Sequence, residues 1–205
     1  MSFRSALYQS ISGMYNVRSR LTVIWTQAFN VMMVCALALA AQSFINDTFW
    51  PAVPTAHLAP IQTNIPIVKA NLGHEQMNNL HQVERTVLRM NIKADFTPCF
   101  TWNTKMVFAY IKVSYQTAKW RRNEMTIWDK RITKPEEAKI YKENALEYPI
   151  DAIEGDSLRG VTVTAVMMYQ TMYYSGYAPL REVPGSAVTV TLPSDPVERE
   201  IRTIL

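Results

Sequence analysis

The fold class this sequence predicts is a single-pass transmembrane helix followed by a mainly-β domain, an antiparallel sandwich-like sheet with one short helix. Three features carry that prediction. Leu21 to Ile45 runs without one charged side chain. Leu88, Met90, Ile92, Ala94 and Phe96 alternate with Arg89, Asn91, Lys93 and Asp95, the period of two that marks a strand with one buried and one wet face. The later β-rich segments are separated by turns and show no βαβ alternation, which argues against a doubly wound sheet.

The uncharged run comes first. As an α-helix it would reach roughly 37 Å, enough to cross a hydrocarbon core of about 30 Å with some tilt. Lipid offers backbone groups no partners, so helix is the conformation expected there. Trp25 near its start and Phe49-Trp50 just beyond its end suit the two interfaces. Residues 1–20 hold Arg4, Arg18 and Arg20 and no acid, whereas Asp47 is the first charge after the run. The positive-inside rule therefore predicts a type II signal anchor, with residues 1–20 cytosolic, 21–45 in the membrane and the rest beyond it. The competing reading is a cleaved signal peptide, for which Ala38-Leu39-Ala40 offers an A-x-A triplet. The length of the run and its 20-residue lead-in speak against that. Gln27 and Asn30 share one face of the anchor, where amides in hydrocarbon hydrogen-bond to other helices.

The chain has 205 residues and a net charge of +4. Three of its 21 basic residues and none of its 17 acids precede Asn46, leaving 18 against 17 beyond the anchor. That balance excludes a basic nucleic-acid-binding domain. Some 160 residues are enough for one domain with its own core. Cys35 lies in the anchor and Cys99 outside it, so the two cannot be bridged. Cys99 reads as a small buried hydrophobe.

Residues 46–77 read as a Pro-rich linker, stiffened by Pro51, Pro54, Pro60 and Pro66. Ile65 to Val68 could pair there as an edge strand. Asn46-Asp47-Thr48 is a glycosylation sequon placed too near the anchor to be used. His57, His74 and His81 read as solvated spacer residues. Residues 78–193 form the predicted β domain. Within it Met106 to Tyr115 is a central strand, and Glu124 to Ile132 a strand with Met125 and Ile127 on one face and Trp128 and Ile132 on the other. Thr133-Lys134-Pro135-Glu136, ahead of Glu137 to Tyr141, has the spacing of a capped short helix that ends before Pro149. Val161 to Tyr173 and Ala187 to Leu192 are further strands. Residues 194–205 form a C-terminal tail of undecided structure.

The stretch Asp95 to Tyr110, DFTPCFTWNTKMVFAY, resembles the block D-L-T-P-L-F-N-W-N-T-K-Q-x-F-x-Y of the signal peptidase complex subunit 3 family. Ile127-Trp128-Asp129-Lys130 is similar to that family's W-D-K stretch, and Leu158 to Thr164 sits where its long late strand begins. The resemblance covers most of the chain. It implies an ER membrane protein that cleaves nothing itself and braces the luminal face of the complex's catalytic subunit, which brings its own serine and base. Partners would be that subunit, the others of the complex and the ER membrane, with no nucleic acid and no cofactor. Gly160 stands where metazoan members carry a glycosylated asparagine, which rules out a glycan there. Cys99 and Thr101 replace the commoner leucine and asparagine.

The residues themselves point away from catalysis. The sequence has no G-x-S-x-G, H-E-x-x-H, phosphate-binding glycine loop or Cys/His zinc spacing. Asp129, between Trp128 and Lys130, is a candidate acid, and pairing with Lys130, Arg131 or a backbone turn accounts for it. Trp102-Asn103-Thr104-Lys105 reads as an Asx or threonine turn beneath a packed indole. No catalytic, cofactor or metal residue is assigned. The suspected interaction residues are Gln27, Asn30, Trp102, Asn103, Thr104, Lys105, Trp128 and Asp129. The alternative function is a single-pass or secreted β-sandwich adhesion or binding module.

Overall fold

The computed structural model describes residues 17–62, 65–72, 81–153 and 156–194. Arg4, His74, the end of the expected linker at Met77, Gly155 and the tail from 195 lie outside the described residues. The chain divides into two compact units. One is helical and also takes in Ser175–Tyr177; the other, from Ala52, is the β domain.

The helical unit is built on α1, Val17–Phe49. It contains the whole uncharged run and extends one turn beyond it at each end, so Arg18, Arg20 and Asp47 are helical. Several of its hydroxyls donate back into the helix: Thr22 Oγ1 to Arg18 O, Thr26 Oγ1 to Thr22 O, and Ser43 Oγ to Leu39 O. Such back-bonding keeps hydroxyl groups from being stranded in an apolar medium. Trp50 N–H donates to Asn46 O at 2.9 Å, and Pro51 then prevents continuation. Ser43 and Asp47 are the helix's buried residues. Ser175 Oγ lies 3.0 Å from Ser43 Oγ, and the Tyr177 hydroxyl donates to Asp47 Oδ2 at 3.2 Å. The Phe44 and Tyr177 rings meet edge to face at 5.8 Å.

The β unit runs β1 Thr55–Pro60, β2 Ile67–Leu72, β3 His81–Thr86, β4 Met90–Asp95, β5 Thr104–Tyr115, β6 Asn123–Ile132, β7 Lys139–Ala145, β8 Ile150–Asp151, β9 Thr162–Tyr173, β10 Leu180–Glu182 and β11 Val188–Thr191. Every described pairing is antiparallel. The sheets are β1-β4-β7, β2-β3-β8, and a larger one ordered β10-β9-β5-β6 with β11 also on β9. Inward residues of all three sheets form one core: Leu58, Ile92 and Ile140 from the first, Ile67 and Ile150 from the second, and Val107, Ile111 and Val163 from the third. The mainly-β antiparallel architecture is the one expected. The alternation along β4 is realised, with Met90, Ile92 and Ala94 buried between exposed Asn91 and Lys93. β5 is central, flanked by β9 and β6.

Three expectations are corrected. The Pro-rich segment 46–77 is not a free linker, because β1 and β2 lie in it and β1 pairs residue for residue with β4. Pro54 and Pro60 fall just before and at the end of an edge strand, where a missing N–H costs no ladder bond. His57 is accordingly a strand residue, opposite Lys93, on a cleft that Tyr141 also lines. The capped helix after Thr133 is only a 3₁₀ turn, Pro135–Glu137, without a side-chain cap. Residues from Lys139 on pair with β4 instead, because Ile140 and Ala145 fill the core. In β6 a bulge between Thr126 and Trp128 leaves Ile127 without a partner on β5 and reverses the strand's phase. Ile127, Trp128 and Ile132 are all buried, so the predicted division of faces does not hold.

Cys99 is buried, as its sequence context indicates, and burial pushes its thiol up to about 11. With Cys35 replaced by serine, Cys99 should react with a water-soluble thiol reagent at pH 8 only after unfolding. The shift also ties stability to pH. The unfolded thiol, with its ordinary value near 9, loses its proton first. Its contribution is therefore complete below pH 9 and is lost as pH rises toward 11.

Candidate interaction surface

The Trp102 turn joins a 3₁₀ turn, Thr97–Cys99, to β5. Asp95 Oδ1 accepts the Thr97 N–H at 2.9 Å, and these Thr97 bonds hold its carboxyl below the usual range. Thr104 then organises the rest of the turn. Its Oγ1 donates to Cys99 O at 2.9 Å, accepts from Thr101 N–H at 3.1 Å and sits 3.0 Å from Thr101 Oγ1. Asn103 O accepts from Tyr174 N–H at 3.0 Å, tying the turn to the end of β9. Asn103 and Thr104 are thus buried structural residues, and the expected threonine turn is present. The packed indole is not: Trp102 is 65% exposed, and Lys105 is exposed beside it. Thr104→Val keeps the shape but strands a carbonyl and an N–H, and should cost about 1–2 kcal/mol in denaturant unfolding of the detergent-solubilised chain. Trp102→Ala should stay within about 0.5 kcal/mol of wild type in the same assay.

The pair expected at the W-D-K stretch separates. Trp128 is a core residue and cannot meet a partner directly. Asp129 lies on the outer face of the large sheet. It is not paired with Lys130 or Arg131; its Oδ1 accepts the Tyr148 hydroxyl at 2.8 Å, and its N–H reaches Glu147 Oε2. That bond raises the Tyr148 hydroxyl's pKa. The bulge is what turns Asp129 outward, and sequence alternation alone cannot see it.

Sequence reasoning also missed what Asp129 joins. The pairing registers put Leu180, Gln170, Phe108 and Arg131 in one row across the outer face of the large sheet. Glu182, Met168, Tyr110 and Asp129 form the next row. Met172 and Met106 lie beyond the first row. The Phe108 and Tyr110 rings are 5.7 Å apart. The available signal was that Met106 to Tyr110 is apolar on both faces.

On α1, Gln27 is half-buried and Asn30 exposed. Among the described residues no group of three or more His, Cys, Asp or Glu side chains could hold a metal ion.

A family model described as signal peptidase subunit matches residues 14–195, through both the helix and the β domain. A Saccharomyces cerevisiae protein named signal peptidase complex subunit 3 is 25% identical over 177 residues, 84% of this chain and 94% of that protein. The Caenorhabditis elegans protein of the same name is 26% identical over 184 residues, 88% of this chain and 96% of its own. A Dictyostelium discoideum protein, again of that name, is 28% identical over 109 residues. That match spans 53% of this chain and 63% of the Dictyostelium protein.

Proposed function

We infer the function from one premise: this chain belongs to the signal peptidase subunit family, whose model spans residues 14–195. It is a subunit of the ER signal peptidase complex. Within that complex we assign it a non-catalytic role: α1 anchors it in the ER membrane, residues 1–20 stay cytosolic, and the β domain braces the catalytic subunit on the luminal side. The domain begins at β1 rather than after residue 77, because β1 already belongs to its first sheet.

The observation that carries the bracing role is how the Trp102 turn is built. Buried Thr104 and Asn103 use their hydrogen bonds to fix a turn that displays Trp102 and Lys105, an arrangement suited to a surface another protein grips. Asp129, the candidate acid at the W-D-K stretch, accepts the Tyr148 hydroxyl. The family match starts at residue 14, ahead of Ala38-Leu39-Ala40, and so takes in the helix Val17–Phe49, which supports an anchor over a cleaved leader. Gln27 and Asn30 offer amides to a neighbouring helix of the complex.

Purification of the tagged chain in mild detergent should recover a serine-type signal peptidase subunit, and depletion should leave secretory precursors uncleaved. Recovery of unrelated proteins alone refutes the assignment. Trp102→Ala should lower recovery without lowering stability. A mature N-terminus near Ala41 would exclude an anchor and favour the secreted reading, whereas labelling of the chain on the surface of intact cells would favour the single-pass adhesion reading. Protease added to intact microsomes should leave the β domain whole.

A further inference from the structure

We propose that the loop between β9 and β10, Tyr174 to Pro179, is a second membrane contact, lying in the headgroup layer beside the end of α1 with Tyr174 against lipid. The proposal rests on the reading of α1 as a membrane anchor.

The depth of the loop comes from what it is bonded to. Ser175 Oγ donates to Ser43 Oγ at 3.0 Å, the Tyr177 hydroxyl donates to Asp47 Oδ2 at 3.2 Å, and the Tyr177 ring meets Phe44 edge to face. All three contacts lie within the helical unit, which takes in Ser175–Tyr177. The uncharged run Leu21 to Ile45 is about 37 Å long and a hydrocarbon core about 30 Å thick, so an even division leaves about 3–4 Å of the run outside the core at each end. Ser43, about 3 Å before the end of the run, then stands at the edge of the hydrocarbon, and Asp47 stands among the headgroups. A loop bonded to both occupies the same layer. Phe44 and Ile45, on the same turns of α1, stay exposed, as side chains that meet lipid do. The loop also accounts for Asp47. A carboxylate so near the hydrocarbon is costly unless it has a partner, and the Tyr177 hydroxyl is one.

The composition of the loop suits that layer. Tyr173 to Leu180 reads YYSGYAPL, three tyrosines in eight residues and no charge. Tyr174 is 70% exposed. Tyrosine favours the interface because its ring meets the upper acyl chains while its hydroxyl stays with headgroups and water. A connection in water carries charge, as that between β5 and β6 does with exposed Lys119, Arg121 and Arg122. The two connections lie at opposite ends of the large sheet, since the register joins Thr104 to Tyr173 at one end of β5 and Tyr115 to Val163 at the other. A protein partner is the other cover an aromatic loop could have. Lipid is favoured here because the loop's own hydrogen bonds end on the last turns of the membrane helix.

A photo-crosslinking amino acid placed at Tyr174 of the full chain in intact ER membranes tests this, with Trp50 and Tyr141 as reference positions. Tyr141, on β7, is 74% exposed and so matches Tyr174 in exposure. The chains carrying the probe at Tyr174 and at Trp50 should each gain the mass of a phospholipid, and the chain carrying it at Tyr141 should not. A Tyr174 probe that reacts only with protein, or with nothing, while the Trp50 probe takes lipid, overturns the proposal and leaves the anchor standing. Equal lipid yields at Tyr174 and Tyr141 also overturn it, because the reaction then follows exposure and not place. Lipid at neither Tyr174 nor Trp50 overturns both the proposal and the anchor.

Discussion

Trp128→Ala should destabilise the β domain by about 3–5 kcal/mol, the usual cost of emptying a large aromatic site in a packed core. Trp128 is 2% exposed and faces Ile111 across the strand pair. Measured by denaturant unfolding of the detergent-solubilised chain, that is a large share of the roughly 5–15 kcal/mol typical of a whole domain. The loss should show first as lower steady-state abundance, with any loss of partners following from it. Trp128→Phe should cost clearly less, since most of the ring remains. Equal recovery of partners per folded molecule in wild type and Trp128→Phe would confirm that the indole is core and not contact.

Glu84→Ala should cost about 2–3 kcal/mol in the same assay. One carboxylate on β3 holds the whole approach to β9. It accepts from Ser157 Oγ at 2.8 Å, Leu158 N–H at 2.9 Å and Arg159 Nε at 2.8 Å. Its side chain is 14% exposed, and removing it strands the N–H of buried Leu158, while exposed Ser157 and Arg159 lose a charged acceptor but can turn to water. Burial alone would raise its pKa, but the bonds from Ser157 and Leu158 and the Arg159 charge together hold it below the ordinary carboxylate value. A depressed carboxyl contributes its stability above the ordinary value near 4.5 and loses it as pH falls below that. Acid unfolding of wild type should therefore be steeper below pH 4.5 than that of Glu84→Gln.

Gly160 follows this clamp with φ +67°, in the left-handed region. Asparagine is among the few other residues that enter that region readily. The asparagine that the family resemblance implies for metazoan members at this turn is thus a residue able to take the same backbone shape as Gly160.

The sequence made β4, β5, β9 and β11 legible because their side chains alternate or are β-branched through the whole strand. Elsewhere local chemistry and tertiary context disagreed. Prolines at 51, 54, 60 and 66 hid β1 and β2, since proline marks both linkers and edge strands. The Thr133-to-Glu136 spacing is a sound helix signal, yet Ile140 is needed in the core and pairing with β4 prevails. β3 and β8 are recognisable only together, through the Arg85–Asp151 bond of 2.6 Å. At the candidate surface the threonine turn could be foreseen, because Thr104 acts within five residues. The exposure of Trp102 and the burial of Trp128 could not, for one depends on what the turn leaves uncovered and the other on a one-residue bulge.

The order of strands in the large sheet also sets a timetable. β5 and β6 are neighbours in sequence and can pair as soon as both have been made, but the other edge of β5 is closed only by β9. The register joins Tyr115 to Val163 and Thr104 to Tyr173. At about 5–20 residues per second, synthesis leaves the open edge of β5 waiting for several seconds. During that interval Val107 to Val113 offer an unsatisfied, apolar strand to anything nearby, the form in which nascent chains aggregate or recruit chaperones. A protein of this design has its period of greatest risk before β9 is made, and the charges at Lys105 and Lys112 act as gatekeepers while it lasts.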